Sequence, residues 1–283
     1  IQAVVQGLTE FLPVSSSGHL SVVQHVTGVN GEAALVLSLV LHLGTLAAVF
    51  VAFWGTIWGM IKEFFLTIGD IFTGKFSWKN MNGNRRMMFM VIIATVILVP
   101  FYLVEGFFTG RQGDGDIVFE GAAFLFTSLI LFLSDRFGHG TRTAEQMTVK
   151  DAVTVGLFQV VALFPGVSRS GSTTAGGLLS GLEKETAVTF AFILGIPAIL
   201  GGSVLELSDA LHSDMELDWA ALGIGFVIAA VVGILSIKLV SWLVKKDRYK
   251  IFGVYTAVLG AVCVAAGLWE HISGNTLHSL LMG

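Results

Sequence analysis

Charged residues are what this sequence has least of. Asp, Glu, Lys and Arg make up 13% of its 283 residues, and 54% are hydrophobic. Soluble domains carry about 25% charged residues. So few charges cannot clothe a water-soluble globule, and composition favours an integral membrane protein. Regular alternation of apolar and polar residues is missing too, which sets a transmembrane β-barrel aside. Cysteine is nearly absent. Cys263 stands alone in an apolar run, which excludes a disulfide framework and a cysteine metal site. The sequence has no nucleotide P-loop and no HExxH motif. The formal net charge of −4 is small, and nucleic acid is not an expected partner. The first segment lacks a basic n-region, so no cleavable signal peptide is expected. Because the chain starts at Ile1, a few residues are expected to precede it.

What is present is a series of long apolar runs. Six of them, roughly 35–54, 87–104, 117–134, 186–205, 219–243 and 251–269, approach the ~20 residues that cross a bilayer as a helix. Residues 56–72 read either as an interfacial helix or as part of a span. Two further regions, 1–30 and 151–182, behave differently. Each has a short apolar run, a Pro/Ser/Gly turn and a second short run, the pattern of a re-entrant helical hairpin. These regions also resemble each other. Gly7 answers Gly156, Glu10 answers Gln159, and Ser15-Ser16-Ser17-Gly18 answers Ser168-Arg169-Ser170-Gly171 after a four-residue insertion. "HLGT" at 42–45 faces "ILGI" at 193–196. The sequence therefore predicts one all-α membrane domain built from two repeats, 1–150 and 151–283, each a hairpin plus three spans.

Three spans are an odd number, so the second repeat should be inverted across the membrane. Loop charges agree. The 55–86 loop holds Lys62, Lys75, Lys79, Arg85 and Arg86; the 135–150 loop holds Arg136, Arg142 and Lys150; and the 244–250 loop holds Lys245, Lys246, Arg248 and Lys250. The 206–218 loop is acidic, and the 105–116 loop has only Arg111. By the positive-inside rule the basic loops are cytoplasmic. The first hairpin then enters from outside and the second from the cytoplasm, and they meet near the midplane. Irregular backbone survives there only where it lines a protein cavity. All six tryptophans fall near span ends, as an aromatic belt would.

The polar residues of the two hairpins are the candidate site. Arg169 at membrane depth is expensive and needs an anion or a wet cavity. The surrounding "LFPGVSRSGSTTAGG" offers Gly166 and Gly171 for a curled backbone and Ser168, Ser170, Ser172, Thr173 and Thr174 as donors. A helix start follows, where free N–H groups attract an anion. This loop reads as a phosphate cradle. The alternative is that Arg169 only staples the hairpins by pairing with Glu10. In the first hairpin Gln6 and Glu10 share a helix face, followed by Ser15, Ser16, Ser17 and His19. An acid beside hydroxyls and an imidazole suggests phosphoryl transfer, with Glu10 as base or ligand to a divalent ion. Spacing does not decide which serine acts, and the serines could equally be helix caps. His42 either lines the cavity or bonds a neighbouring helix. Inverted repeats with broken helices also suit a transporter or lipid flippase. A scaffold without ligand would leave Arg169 and Glu10 unexplained.

"QGLTEFLPVSSSGH" (6–19), "LHLGT" (41–45) and "PGVSRSGST" (165–173) together resemble the bacterial undecaprenyl-diphosphate phosphatases of the bacitracin-resistance type, over nearly the whole chain. The resemblance implies removal of the terminal phosphate of undecaprenyl diphosphate, giving the monophosphate carrier for cell-wall synthesis. It implies a catalytic serine and histidine at Ser16 and His19, and phosphate binding by Ser168, Arg169 and Thr173. It also implies a divalent ion, magnesium or calcium, at Glu10 and Gln6. Many members carry Glu at the first of these positions, where this chain has Gln6. The expected setting is the bacterial inner membrane, with lipid around the spans and the site facing the periplasm. A homodimer is an expectation on which the sequence offers nothing further.

Overall fold

Two runs of helix-forming sequence stop well short of a membrane's thickness, and the rest of the fold is arranged around those stops. The computed structural model describes residues 1–27, 32–102, 117–210, 218–277 and 279. The first short pair is α1 (Gln2–Thr9) and α2 (Ser16–Thr27). Pro13 falls in the turn between them, where it has no N–H to continue a helix. Three long helices and one bent companion follow: α3 (Glu32–Ala52), α4 (Trp54–Phe72), α5 (Gly83–Tyr102) and α6 (Ile117–Phe137). The second short pair is α7 (Val149–Val161) and α8 (Arg169–Ser180), separated by a turn holding Pro165 and Gly166. The chain closes with α9 (Lys184–Ala210), α10 (Trp219–Lys245) and α11 (Lys250–Ser273). At 1.5 Å per residue, a 12-residue arm such as α2 or α8 reaches about 18 Å, little more than half of a ~30 Å hydrocarbon core. The described residues form no strand; one isolated bridge joins Arg142 and Leu182.

Helices α5, α6, α9, α10 and α11 are each long and apolar enough to cross a membrane. The described stretch of α3 joins them only together with α4, from which it is bent by 81° at Phe53. The sequence left α4 unresolved between span and interfacial helix. The bend takes α4 off the line of α3, and its Trp54, Phe65, Ile71 and Phe72 are exposed. Arg85, near the start of α5, holds α4 by hydrogen bonds to Glu63 and Asp70, each 2.7 Å. All six tryptophans are exposed, as an aromatic belt requires. The 105–116 loop with its Arg111 lies outside the described residues. So do residues 211–217 of the acidic loop; its first residues continue α9.

The two halves are interlocked rather than juxtaposed. Helix α1 packs on α10, and α7 packs on α5. Sequence chose small residues for both crossings. A Cβ on Gly7 would stand 2.8 Å from the Ala229 carbonyl of α10, and one on Gly156 would stand 3.1 Å from the Ala94 carbonyl of α5. Small residues let membrane helices approach closely enough for dispersion to hold them. Helix α9 is the most enclosed span, 61% buried against 33–50% for the others. Phe190, Ile193 and Leu194 on α9 are fully buried in the main core with Phe11, Met90 and Leu131. The second hairpin is closed at its base by Arg142, whose guanidinium bonds Asp151 of α7 at 2.5 and 2.7 Å and also the Ser180 carbonyl at the end of α8.

The crossing at Gly7 predicts that Gly7→Ala costs about 1–3 kcal/mol through overpacking. Gly55→Ala, on α4 with nothing within 4 Å of its Cβ, should be near neutral. Thermal midpoints of the two variants in detergent check this.

Candidate active site

Both hairpin turns end in the same place. Glu10 caps the C-terminus of α1, its N–H bonded to the Gln6 carbonyl at 2.9 Å. Arg169 opens α8, directly after the N-cap Ser168, whose hydroxyl accepts from the Gly171 N–H at 3.1 Å. The turns are stitched together: Ser170 donates to the Leu12 carbonyl at 3.1 Å, and the Gly166 N–H reaches the Ser17 hydroxyl at 3.4 Å. The Ser168 N–H donates to Thr127 of α6 at 3.1 Å. A cavity of about 290 Å³ lies over this junction. Its polar lining includes Glu10, Ser15, Ser16, Ser17, Ser168, Arg169 and Ser170, and its apolar lining includes Leu98, Leu163, Phe164, Ala198 and Ile199.

Glu10 is the hub. One carboxylate oxygen pairs with Arg169 Nη2. The other accepts from the Ser16 hydroxyl at 2.7 Å and from Gln6 Nε2 at 2.9 Å. Arg169 Nη1 donates to the Gly195 carbonyl of α9 at 3.1 Å. Glu10 is buried, and a charge so placed needs both its partner and its hydrogen bonds. The arrangement also has chemical meaning. A serine hydroxyl aimed at a carboxylate can lose its proton to it, and a guanidinium alongside can take up developing negative charge.

Other predicted residues are positioned less directly. Gly166, Gly171 and Thr173 shape the turn without lining the cavity. Gly166 has φ +79, and a Cβ there would meet Ala123 at 2.8 Å. Thr173 donates to the Arg169 carbonyl at 2.8 Å. Ser15 serves α2 as a cap, its hydroxyl accepting from the Gly18 N–H at 3.2 Å, and it adopts φ +73. Gln6 lies behind Glu10 rather than on the cavity surface, with its Oε1 buried and unpartnered.

The structure separates the two candidate histidines. His19 does not line the cavity. Its Nδ1 lies 2.6 Å from the Ser15 carbonyl and its Nε2 lies 2.8 Å from the Tyr255 hydroxyl. A carbonyl can only accept, so Nδ1 carries the proton and Nε2 accepts from the tyrosine. The ring also stacks on Tyr255 and meets Phe124 edge-on. His19 therefore braces the strained Ser15 turn. Its distance along the helix did not reveal this, because α2 turns the ring toward α6 and α11. His42 on α3 does line the cavity, with Nε2 3.9 Å from Glu10 and Nδ1 2.9 Å from the Ser38 carbonyl. The sequence signals for it were a histidine inside a span and its place in the "LHLGT" motif. Gln159 and Ser203 also line the cavity; the repeat hinted at Gln159 through its match to Glu10, and nothing marked Ser203.

Comparison with known proteins bears on what this junction is for. Residues 1–262 match the family model described as "Bacitracin resistance protein BacA". The chain belongs to the bacitracin resistance protein BacA family. Relatives in the family cover its length well. It is 39% identical to an undecaprenyl-diphosphatase of Alkaliphilus metalliredigens, over 94% of this chain and 96% of that protein. It is 40% identical to one from Methanobrevibacter smithii, over 93% and 94%, and 37% identical to one from Corynebacterium glutamicum, over 87% and 80%.

The geometry at Ser15 predicts different outcomes for two substitutions. Ser15→Ala removes the cap and keeps the strained φ, costing about 1 kcal/mol. Ser15→Gly relieves the strain and caps almost as well, so its thermal midpoint should lie above that of Ser15→Ala.

Proposed function

We propose that this protein is an undecaprenyl-diphosphatase, removing the terminal phosphate of undecaprenyl diphosphate and leaving the monophosphate carrier for peptidoglycan synthesis. The observation that carries the mechanism is the 2.7 Å hydrogen bond from Ser16 to Glu10, beside Arg169 in a cavity with an apolar wall. An incoming phosphate competes with Glu10 for Arg169. Once it holds the guanidinium, Glu10 faces Ser16 and can accept its proton. Ser16 Oγ then attacks the terminal phosphorus, and the bond to the bridging oxygen breaks as the monophosphate lipid departs. Water hydrolyses the phosphoserine. Arg169 steadies the charge spread over the transferred phosphoryl group. Ser168 and Ser17 add hydroxyl donors around it, while Ser170 holds the turn at Leu12, and His42 stands near Glu10 as the cavity's imidazole. His19 holds the Ser15–Ser17 turn in shape. The enzyme names carried by the relatives do not favour the transporter reading.

The setting belongs to the same proposal. The two halves are taken as inverted repeats, 1–150 and 151–283, supported by the exchanged packing of Gly7 on α10 and Gly156 on α5. The loop charges support cytoplasmic basic loops and a cavity facing the periplasmic side of the inner membrane. A divalent ion, magnesium or calcium, is part of the reading. Among the described residues no cluster of three His, Cys, Asp or Glu side chains is placed to hold a metal. Hard cations nevertheless accept one carboxylate together with neutral oxygens and substrate phosphates. The residue types fit that mode, since Glu10 is a carboxylate, Ser16 a hydroxyl, and Gln6 Oε1 a buried oxygen without a partner, which turning the amide over would exchange for the Nε2 now facing Glu10. When bound, such an ion would neutralise phosphate charge. Glu10, Gln6 and Ser16 would hold it.

Purified protein should release phosphate from undecaprenyl diphosphate, and Ser16→Ala and Glu10→Gln should each lower turnover by about 10²–10⁴-fold. Turnover by Ser16→Ala at the wild-type rate would remove Ser16 from the nucleophile's role. For the ion, EDTA should abolish release. Gln6→Glu, which adds a second carboxylate, should lower the magnesium concentration needed for half-maximal rate; an unchanged requirement would exclude Gln6 as a ligand.

A further inference from the structure

The cavity contains two polar groups that the mechanism leaves unused. Among the described residues lining it, Gln159 and Ser203 alone have buried side-chain polar atoms without a hydrogen-bond partner. For Gln159 both amide atoms are orphaned, and the residue is 2% exposed; Ser203 is 8% exposed. Buried amides and hydroxyls are nearly always paired, because leaving water without compensation is costly. Two such groups facing one cavity mark a place where a ligand supplies the partner.

Their positions indicate which part of the ligand. Gln159 lies near the C-terminal end of α7, in the second hairpin, and matches Glu10 of the first in the internal repeat. One repeat thus places an acid in the cavity and the other a neutral amide. A neutral amide can donate to an anion without the desolvation cost of a second buried charge. On α9 the Gly195 carbonyl anchors Arg169, and Ser203 lies eight residues further on, about 12 Å along the helix. Between them α9 presents Ala198, Ile199 and Gly202 to the cavity. The lining thus passes from a cationic end into an apolar stretch bearing isolated neutral donors. A diphosphate on an apolar chain has the same sequence of chemistry, with the terminal phosphoryl at Arg169 and the lipid-linked phosphate beyond it.

We propose that Gln159, assisted by Ser203, binds the phosphate that remains on the lipid. The amide N–H and the serine hydroxyl donate to its non-bridging oxygens, so the site recognises a diphosphate ester by two phosphates held on separate donor sets. The inference rests on the polyprenyl diphosphate reading, and the experiment separates the two. Binding of undecaprenyl monophosphate, the species that carries only this phosphate, is measured directly by calorimetry in detergent, without turnover. Undecaprenol, which has the chain and no phosphate, is the control. Gln159→Leu should weaken monophosphate binding about tenfold, the loss of one hydrogen bond to a charged group. Gln159→Glu keeps the side chain's shape and should weaken it more, because a carboxylate would face the phosphate. Ser203→Ala should have a smaller effect in the same direction. Undecaprenol binding, and inhibition of turnover by inorganic phosphate at the Arg169 end, should stay unchanged in all three. Equal monophosphate affinity in wild type and Gln159→Glu overturns the proposal, as does an equal loss of undecaprenol binding. If Gln159→Leu does not fold, Gln159→Glu decides. If wild-type protein binds the monophosphate through Gln159 yet releases no phosphate from the diphosphate, the enzymatic reading falls and this site stands.

Discussion

The ion pair between Glu10 and Arg169 is the constraint on which the rest of the structure depends. Each charge is costly at membrane depth, and neither hairpin can hold its own charge without the other. Their pairing brings the end of α1 to the start of α8, which are 159 residues apart in sequence. Everything nearby serves that meeting. Gln6 and Ser16 satisfy the second carboxylate oxygen, the Gly195 carbonyl accepts a second guanidinium N–H, and Ser170 ties the second hairpin to the first at Leu12. Removing either partner would leave an uncompensated charge in a low-dielectric interior.

The same pair suits the site to an anionic substrate. A guanidinium saturated by rigid neighbours would be structural only. In the proposed reaction its carboxylate partner is displaced by a phosphate, and that carboxylate already accepts a hydrogen bond from the Ser16 hydroxyl. On that reading, stability at rest and chemistry under substrate use one interaction in two states. The apolar wall formed by Leu98 of α5, Leu163 and Phe164 of the turn after α7, and Ala198 and Ile199 of α9 explains how a polar centre can coexist with a lipid tail. The hairpins supply most of the donors, and α5 and α9 supply much of the hydrocarbon surface.

Much of the fold was legible because its signals are local. Six apolar runs became helices within a few residues of their predicted ends, and Pro13 and the Pro165-Gly166 pair broke the hairpins where they fell. The serine and arginine motifs did converge on one cavity. Residues whose role depends on rotation about a helix axis were harder to read. His19 sits three residues from Ser16, yet α2 turns it onto Tyr255, 236 residues away. His42 sits in another span and reaches to 3.9 Å from Glu10 only because α3 packs behind the first hairpin. Ser203 had no motif at all.

By itself the sequence determined the membrane setting, the long apolar helices, the two breaks and the family, since hydropathy, proline and glycine act over a few residues and a motif needs no partner. Tertiary structure decided the bend that sends α4 off the line of α3, which serine faces the acid, which histidine enters the cavity, and which amide is left without a partner. Those outcomes depend on how helices distant in the chain are rotated and packed. That rotation is fixed by contacts such as Gly7 against Ala229 and Gly156 against Ala94, which exist only once the helices have come together.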